Sequence, residues 1–296
     1  MAMVEGKKSN IKVWLAYLFL AVFITGLIYP LLAMVSVSLR PGNLLNGPLI
    51  PETISFEHWR LVFGIAQTEQ EQAVFDKFPV LLWTWNSVKI ALATSTITLL
   101  FASMAAYAFA RIKFFGSKWL LMALLIIGLF PAFSGMVAIR IMVEKLGYYV
   151  PALGFDTHGA LILLYVGSVL GEVWLIKGYI ESLDPALEEA ATMDGANRWQ
   201  ILRYIIIPLS VPILVVNFVL SFAGAFGEFI LASLMLTTES KYTLALGMQS
   251  FLYQPYGQMW GDFAATAIFA ALPITTVFLI GQKWLISGLT SGSVKG

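Results

Sequence analysis

GALILLYVGSVLGEVWLI (159–176), KGYIESLDPALEEAATMDGANRWQILRYIIIP (177–208) and LSVPILVVNFVLSFAGAFGEFILASLML (209–236) run apolar, polar, apolar. Each apolar stretch is near the roughly 20 residues that a helix needs to cross about 30 Å of hydrocarbon. The polar stretch carries the punctuation of two short helices. Asp184 followed by Pro185 reads as a helix start, an acceptor and then the imino acid tolerated at the first helical position. Glu188 and Glu189 fall early, where the helix dipole favours negative charge. Gly195 suits a left-handed stop. Asn197 with Gln200 reads as a capping box opening the second helix, and Pro208 and Pro212 mark the start of the next span. The segment is thus a helix, a sharp turn and a second helix at a membrane surface. Ala186, Ala190 and Met193 line one side of the first helix, a low-profile face on which another protein could seat closely.

The same apolar blocks recur along the whole chain. Of 296 residues 59% are hydrophobic and 12% charged, against about 45–50% and about 25% in a soluble domain. Further spans are expected over 13–39, bent near Pro30, then 90–110, 119–138 and 263–282. The fold class is therefore all-α, a polytopic membrane protein with six transmembrane helices in a single domain, 1–296. Pro273, Gly224 and Gly227 lie within spans, where small residues let helices approach closely.

Six spans put both termini on one side, and the basic residues choose which. Lys7, Lys8, Lys12, Arg111, Lys113, Lys118, Lys177, Arg198, Arg203, Lys283 and Lys295 share one side; Arg40, Arg60, Lys77, Lys89, Arg140, Lys145 and Lys241 share the other. The positive-inside rule places both termini in the cytoplasm. The segments 40–89, 140–158 and 237–262 then face outward. The first is a long periplasmic loop ending in an interfacial helix over 78–85, whose Trp83 and Trp85 suit the headgroup region.

Glu189-Ala190-Ala191, Gly195, Ile205 and Pro208 resemble the EAA loop of binding-protein-dependent ABC importer permeases, with Ile207 where that pattern usually has Leu. The resemblance implies that 184–208 is a cytoplasmic coupling loop whose helix seats in a groove of an ATPase subunit. Glu188, Glu189, Ala190, Ala191, Asp194 and Gly195 would then form the ATPase-coupling surface. Ser38-Leu39-Arg40, Ala106-Tyr107-Ala108-Phe109-Ala110-Arg111, Asp156-Thr157-His158-Gly159, Gly261-Asp262-Phe263-Ala264-Ala265 and the tail Ser293-Val294-Lys295-Gly296 resemble MalG-type permease subunits of maltose/maltodextrin transporters. This second resemblance covers nearly the whole chain. It implies the type I ABC importer permease fold in a bacterial inner membrane. Its partners would be a cytoplasmic ATPase dimer, a second, non-identical permease subunit and a periplasmic sugar-binding protein. ATP and magnesium would be used by the ATPase, with no cofactor on this chain.

Other residues stand out by position. Glu228 lies deep in the fifth span and reads as structural, as part of a gate or subunit contact, or as a hydrogen-bonding group for substrate; Asn217, one turn before Ser221, is a candidate for lining a pathway. Glu172 is closer to an interface and reads as structural. The outer stretch GMQSFLYQPYGQMW (247–260) interleaves aromatics with glutamines. Phe251, Tyr253 and Tyr256 there are candidate contacts for the binding protein, alongside an interfacial aromatic belt or direct sugar contact.

Exclusions narrow the function. No cysteine is present, so disulfides and thiolate chemistry are out, and His58 and His158 are too few for a histidine-built metal centre. Net charge of +1 gives no field for nucleic acid, and no G-x-x-x-x-G-K-[ST] phosphate loop occurs. The chain therefore reads as a transport subunit rather than an enzyme. An ion-coupled secondary transporter would show internal repeats and ionisable groups at broken helices; only two acids lie within spans here and no convincing repeat. A permease for another sugar, with the same fold and loop, stays open.

Overall fold

In a computed structural model, residues 10–128, 135–255 and 257–291 are described, with side chains over 13–128, 135–255 and 257–284. They are helices and turns, with no strand among the described residues. The chain divides into two compact units: one through Phe78 together with Ser250–Phe269, the other Pro79–Gln249 with the remainder from Ala270.

The first unit begins with α1 (Asn10–Ser38), which runs unbroken through Pro30 and at 29 residues is about 43 Å long. Its described side chains from Val13 through Leu32 are exposed and, apart from Thr25, largely apolar, a surface suited to lipid or to another apolar partner. Two short helices follow, α2 (Glu57–Phe63) and α3 (Glu69–Lys77). The Arg40 guanidinium ties the loop between α1 and α2. It donates to Ser36 Oγ at 3.0 Å, to Leu45 O at 3.1 Å and to Pro48 O.

A second knot forms around His58, which is almost fully buried. Its Nδ1 lies 2.7 Å from Asp262 Oδ1, and its Nε2 lies 3.1 Å from both Arg40 O and Gly42 O. Carboxylates and carbonyls only accept, so both ring nitrogens donate and the ring is an imidazolium. Burial would lower its pKa. The Asp262 hydrogen bond and charge, with Glu57 and Gly42, outweigh that and raise it above 6.5. Asn43 completes the knot, donating to Asp262 Oδ2 at 2.9 Å and accepting from Gly261 N at 3.0 Å. Gly261 is fixed by space: a Cβ there would sit 2.1 Å from His58 Nε2.

The second unit is organised by α4 (Val80–Arg111). The interfacial helix expected over 78–85 is instead the first turns of this 32-residue helix, because no Gly or Pro interrupts 80–111. Ser87, Ala91, Thr94, Thr98, Ala102 and Ala106 form a buried stripe of small side chains along it. That stripe lets α4 pack closely on α7 (His158–Val166), α8 (Val169–Ser182) and α12 (Val211–Gly227). Between lie α5 (Ser117–Gly128), α6 (Met136–Tyr149), α9 (Ala186–Met193), α10 (Arg198–Ile201) and α11 (Ile207–Leu209). Three later helices, α13 (Ile230–Met235), α14 (Leu244–Gln249) and α15 (Trp260–Ser291), complete the chain; α15 begins in the first unit and continues through Pro273.

Two expected spans are broken rather than straight. The fourth is α7 and α8, bent by 43° at Gly167-Ser168, and extends to Ser182. The fifth turns by 77° from Arg198–Leu209 into α12, then breaks again at Glu228-Phe229 before α13. Three described stretches are long and apolar enough to cross a membrane, Val13–Ser38, Glu69–Arg111 and Trp260–Trp284, and up to 5 if each bent pair is one span. The third expected span, 119–138, passes through 129–134, outside the described residues, so the count of six rests on sequence.

Candidate functional site

The 184–208 loop is built from local hydrogen bonds. Asp184 Oδ1 accepts from Ala186 N at 3.0 Å, so Asp184 performs the capping although α9 begins after Pro185. At the far end Gly195 N donates to Thr192 O at 3.0 Å and Ala196 N to Ala191 O at 2.9 Å. These two bonds define a Schellman stop, with Gly195 in the left-handed region at φ 85. The capping box is present in both directions: Gln200 N donates to Asn197 Oδ1 at 3.0 Å, and Asn197 N to Gln200 Oε1 at 2.8 Å. A π-helical turn, Leu202–Ile206, then joins α10 to α11.

The base of the loop is seated in a core. Ile201, Leu202 and Ile206 are buried with Ala102, Ala106, Val173, Ile176, Ile180 and Leu214, so α4, α8 and α12 all contribute. Ala191 and Ala196 pack against the same cluster. The candidate coupling residues therefore divide by face. Glu189, Ala190, Asp194 and Gly195 are exposed, and Met193 is 90% exposed. Glu188 and Ala191 turn inward. Beside the turn lies an open hollow of about 280 Å³ lined by Asp194, Gly195, Ala196, Gln200, Tyr204 and Ile205.

The span acid Glu228 is occupied structurally. Its Oε1 accepts from Leu231 N at 2.8 Å and its Oε2 from Ala232 N at 3.1 Å, capping α13 just after the break. Tyr165 of α7 donates to Oε2 at 2.6 Å. A carboxylate at a helix start is the arrangement the dipole favours, which gives this charge a reason to sit within an apolar stretch. Asn217, expected beside a pathway, is 2% exposed, with an amide nitrogen lacking a partner among the described residues.

The outer aromatics do not share one role. Phe251 is 0% exposed and packs on Phe78 with ring centroids 4.9 Å apart, which corrects the expectation that it presents a surface to a partner. A polar loop suggests exposure for its aromatics, but Phe78, distant in sequence, supplies a core for Phe251. Tyr253 is 75% exposed, and Tyr256 lies outside the described residues.

Asp156 has a role the sequence did not signal. Standing at φ 59, it accepts from Thr237 N at 2.8 Å, Thr238 Oγ1 at 2.7 Å and Lys241 Nζ at 2.8 Å. Burial pushes its pKa up, but the Lys241 ammonium and the threonine donors win and hold the carboxyl well below the usual range. His158 is also structural, its Nε2 2.8 Å from Lys241 O.

Comparison with known proteins fits this geometry. A family model described as "Binding-protein-dependent transport system inner membrane component" matches residues 98–291, including the whole loop. A maltose/maltodextrin transport system permease protein, MalG, from Vibrio vulnificus is 50% identical over the full length of both chains. The MalG of Escherichia coli is 47% identical, again end to end. Among solved structures, a bacterial ABC transporter involved in the import of the acidic polysaccharide alginate superimposes with a TM-score of 0.76. It is 21% identical, and the match covers 95% of this chain and 99% of that one; at that identity the likeness speaks for the fold.

The all-helical fold and the 184–208 loop define a permease, the membrane-embedded component of an ABC importer. The chain belongs to the family of binding-protein-dependent transport system inner membrane components, and Glu189-Ala190-Ala191 with Gly195 is its EAA motif. Family membership sets aside the ion-coupled secondary transporter.

Proposed function

We propose that this permease forms half of the translocation pathway of an importer for maltose and maltodextrins. Identity of 50% over its whole length with a maltose/maltodextrin permease is the observation that carries this reading. A second, non-identical permease subunit forms the other half, and a periplasmic sugar-binding protein delivers substrate. A cytoplasmic ATPase dimer supplies the drive, using ATP and magnesium, and no cofactor binds this chain. The chain crosses the inner membrane six times with both termini in the cytoplasm.

The 184–208 loop is the mechanical joint. ATP is hydrolysed outside the bilayer, so force reaches the channel only through a stiff contact tied to the spans. The exposed face of α9, with Glu189, Ala190, Met193 and Asp194, supports that role, as does the buried base that ties it to α4, α8 and α12. Tyr253 is the exposed candidate for contact with the binding protein. Glu228 and Asn217 act in gating rather than in sugar recognition: the first holds a helix break, the second is enclosed.

Expression of this chain in a strain lacking its own maltose permease subunit of this type tests the substrate. Uptake of labelled maltose and maltotriose is expected to return, with none of lactose or an alginate oligomer. Restoration of another sugar alone would overturn the maltose reading.

A further inference from the structure

Adjacent glutamates in α9 face opposite ways. Glu189 is exposed, whereas Glu188 meets Arg111 with Nε to Oε1 at 2.6 Å and both side chains mostly buried, at 15% and 14% exposure. Arg111 is the last residue of α4. Its Nη2 also donates to Ile180 O at 2.9 Å and Leu183 O at 2.8 Å, the carbonyls where α8 ends. Helix ends leave such acceptors free and favour a cation beside them. One guanidinium therefore holds the end of α4, the end of α8 and the first turn of α9.

We infer that Arg111 is a positioning residue that makes α4, α8 and α9 move as one body when α9 is pushed. The inference rests on the reading of α9 as the coupling helix. The other inward attachments of α9 are Ala191 and, past the turn, Ala196. Methyl groups in contact resist compression but allow sliding, whereas directed hydrogen bonds fix register. Nε and Nη2 share one edge of a rigid plane, so displacement of α9 is carried to both α4 and α8. Lysine offers a point charge on a flexible stem and cannot hold a carboxylate and two carbonyls in that fixed geometry. Tyr107, one turn earlier on α4 and buried in the same core, keeps the end of α4 from swinging free.

The test uses the whole assembly in proteoliposomes, with the second permease, the ATPase and the binding protein, and maltose as the probe. Arg111→Lys, Arg111→Gln and Glu188→Gln are compared for ATPase retention, ATP hydrolysis and maltose moved per ATP. Both Arg111 variants are expected to keep the ATPase bound while maltose per ATP falls about tenfold, the scale of coupling carried by network residues. Glu188→Gln keeps an acceptor for Nε and falls about two- to threefold. If Arg111→Gln fails to insert, Arg111→Lys, which keeps the charge, decides. A wild-type ratio in Arg111→Lys overturns the inference. A separate arm, Glu189→Lys with Asp194→Lys, tests the underlying reading. If that double variant binds the ATPase and transports normally, α9 is not the joint and the inference falls with it. If it sheds the ATPase while the Arg111 variants keep a normal ratio, only the role of Arg111 is lost.

Discussion

The 184–208 loop and the knot around His58 both hold irregular backbone in place, by different means. In the loop the fixing bonds are short in sequence: Asp184 to Ala186, Ala196 to Ala191, and Asn197 with Gln200. Each forms as soon as its own turn forms, and the outward face of α9 is left free. In the knot, His58 and Asn43 reach Asp262, 204 and 219 residues away. Those two bonds cannot form until α15 has arrived, and both are made to a carboxylate. A locally tied element can be exposed and still be stiff. An element tied at long range is stiff only while every partner is present and correctly ionised.

The largest effects should come from breaking the local ties that position the joint. Gly195→Pro imposes φ near −65° where the backbone stands at +85 and removes the N–H bonded to Thr192 O. The protein is expected to insert at normal levels with maltose uptake abolished. Uptake near wild type would show that the turn does not matter for coupling.

Next comes the knot. Asp262→Asn removes the nearest counter-charge of the buried His58 ring, a loss on the scale of about 3–5 kcal/mol. Hydrogen exchange over 40–62 in the purified protein should accelerate by well over tenfold, with little change over 186–200. Acceleration in both regions alike would erase the contrast drawn here.

The knot is also the region that should answer to pH. The folded pKa of His58 is raised above its unfolded 6.5. Its stabilisation is therefore complete below 6.5 and is lost as pH rises through the higher folded value. Protease nicking within 40–62 should be faster at pH 9 than at pH 6, and Asp262→Asn should flatten that dependence. Asp156 has the opposite sign: its depressed pKa stabilises above the unfolded value of 3.8 and that contribution is lost on acidification.

The smallest effect belongs to Gln200→Ala. It removes half of a reciprocal cap, about 0.5–1 kcal/mol. Exchange of the amides at 197–201 should rise about two- to fivefold, with transport nearly intact.

How much was legible in the sequence follows the same division. Asp184-Pro185, Gly195 and Asn197 with Gln200 carry their geometry in their spacing, so the turn and the capping box could be anticipated to the residue. The apolar blocks announced the helices, but not that the fourth and fifth would break at Gly167 and Glu228. The break at Glu228 is held in part by a residue far along the chain, Tyr165. The burial of Phe251 is illegible for the same reason, since it depends on packing against residues such as Phe78 that are distant in sequence. In the sequence Arg111 reads as one basic charge in a short loop. Its place at the end of an apolar stretch is the one sign of a capping role that the sequence carries.

The central claim is that the exposed face of α9 seats against the ATPase. Met193, at 90% exposure, is its most prominent described side chain, and Ser55 in the expected periplasmic loop is the control. Met193→benzoylphenylalanine, irradiated in the assembled transporter, is predicted to cross-link to the ATPase subunit, while Ser55→benzoylphenylalanine does not. An ATPase adduct at Ser55, or none at Met193 in an assembly that still hydrolyses ATP and imports maltose, would contradict the account.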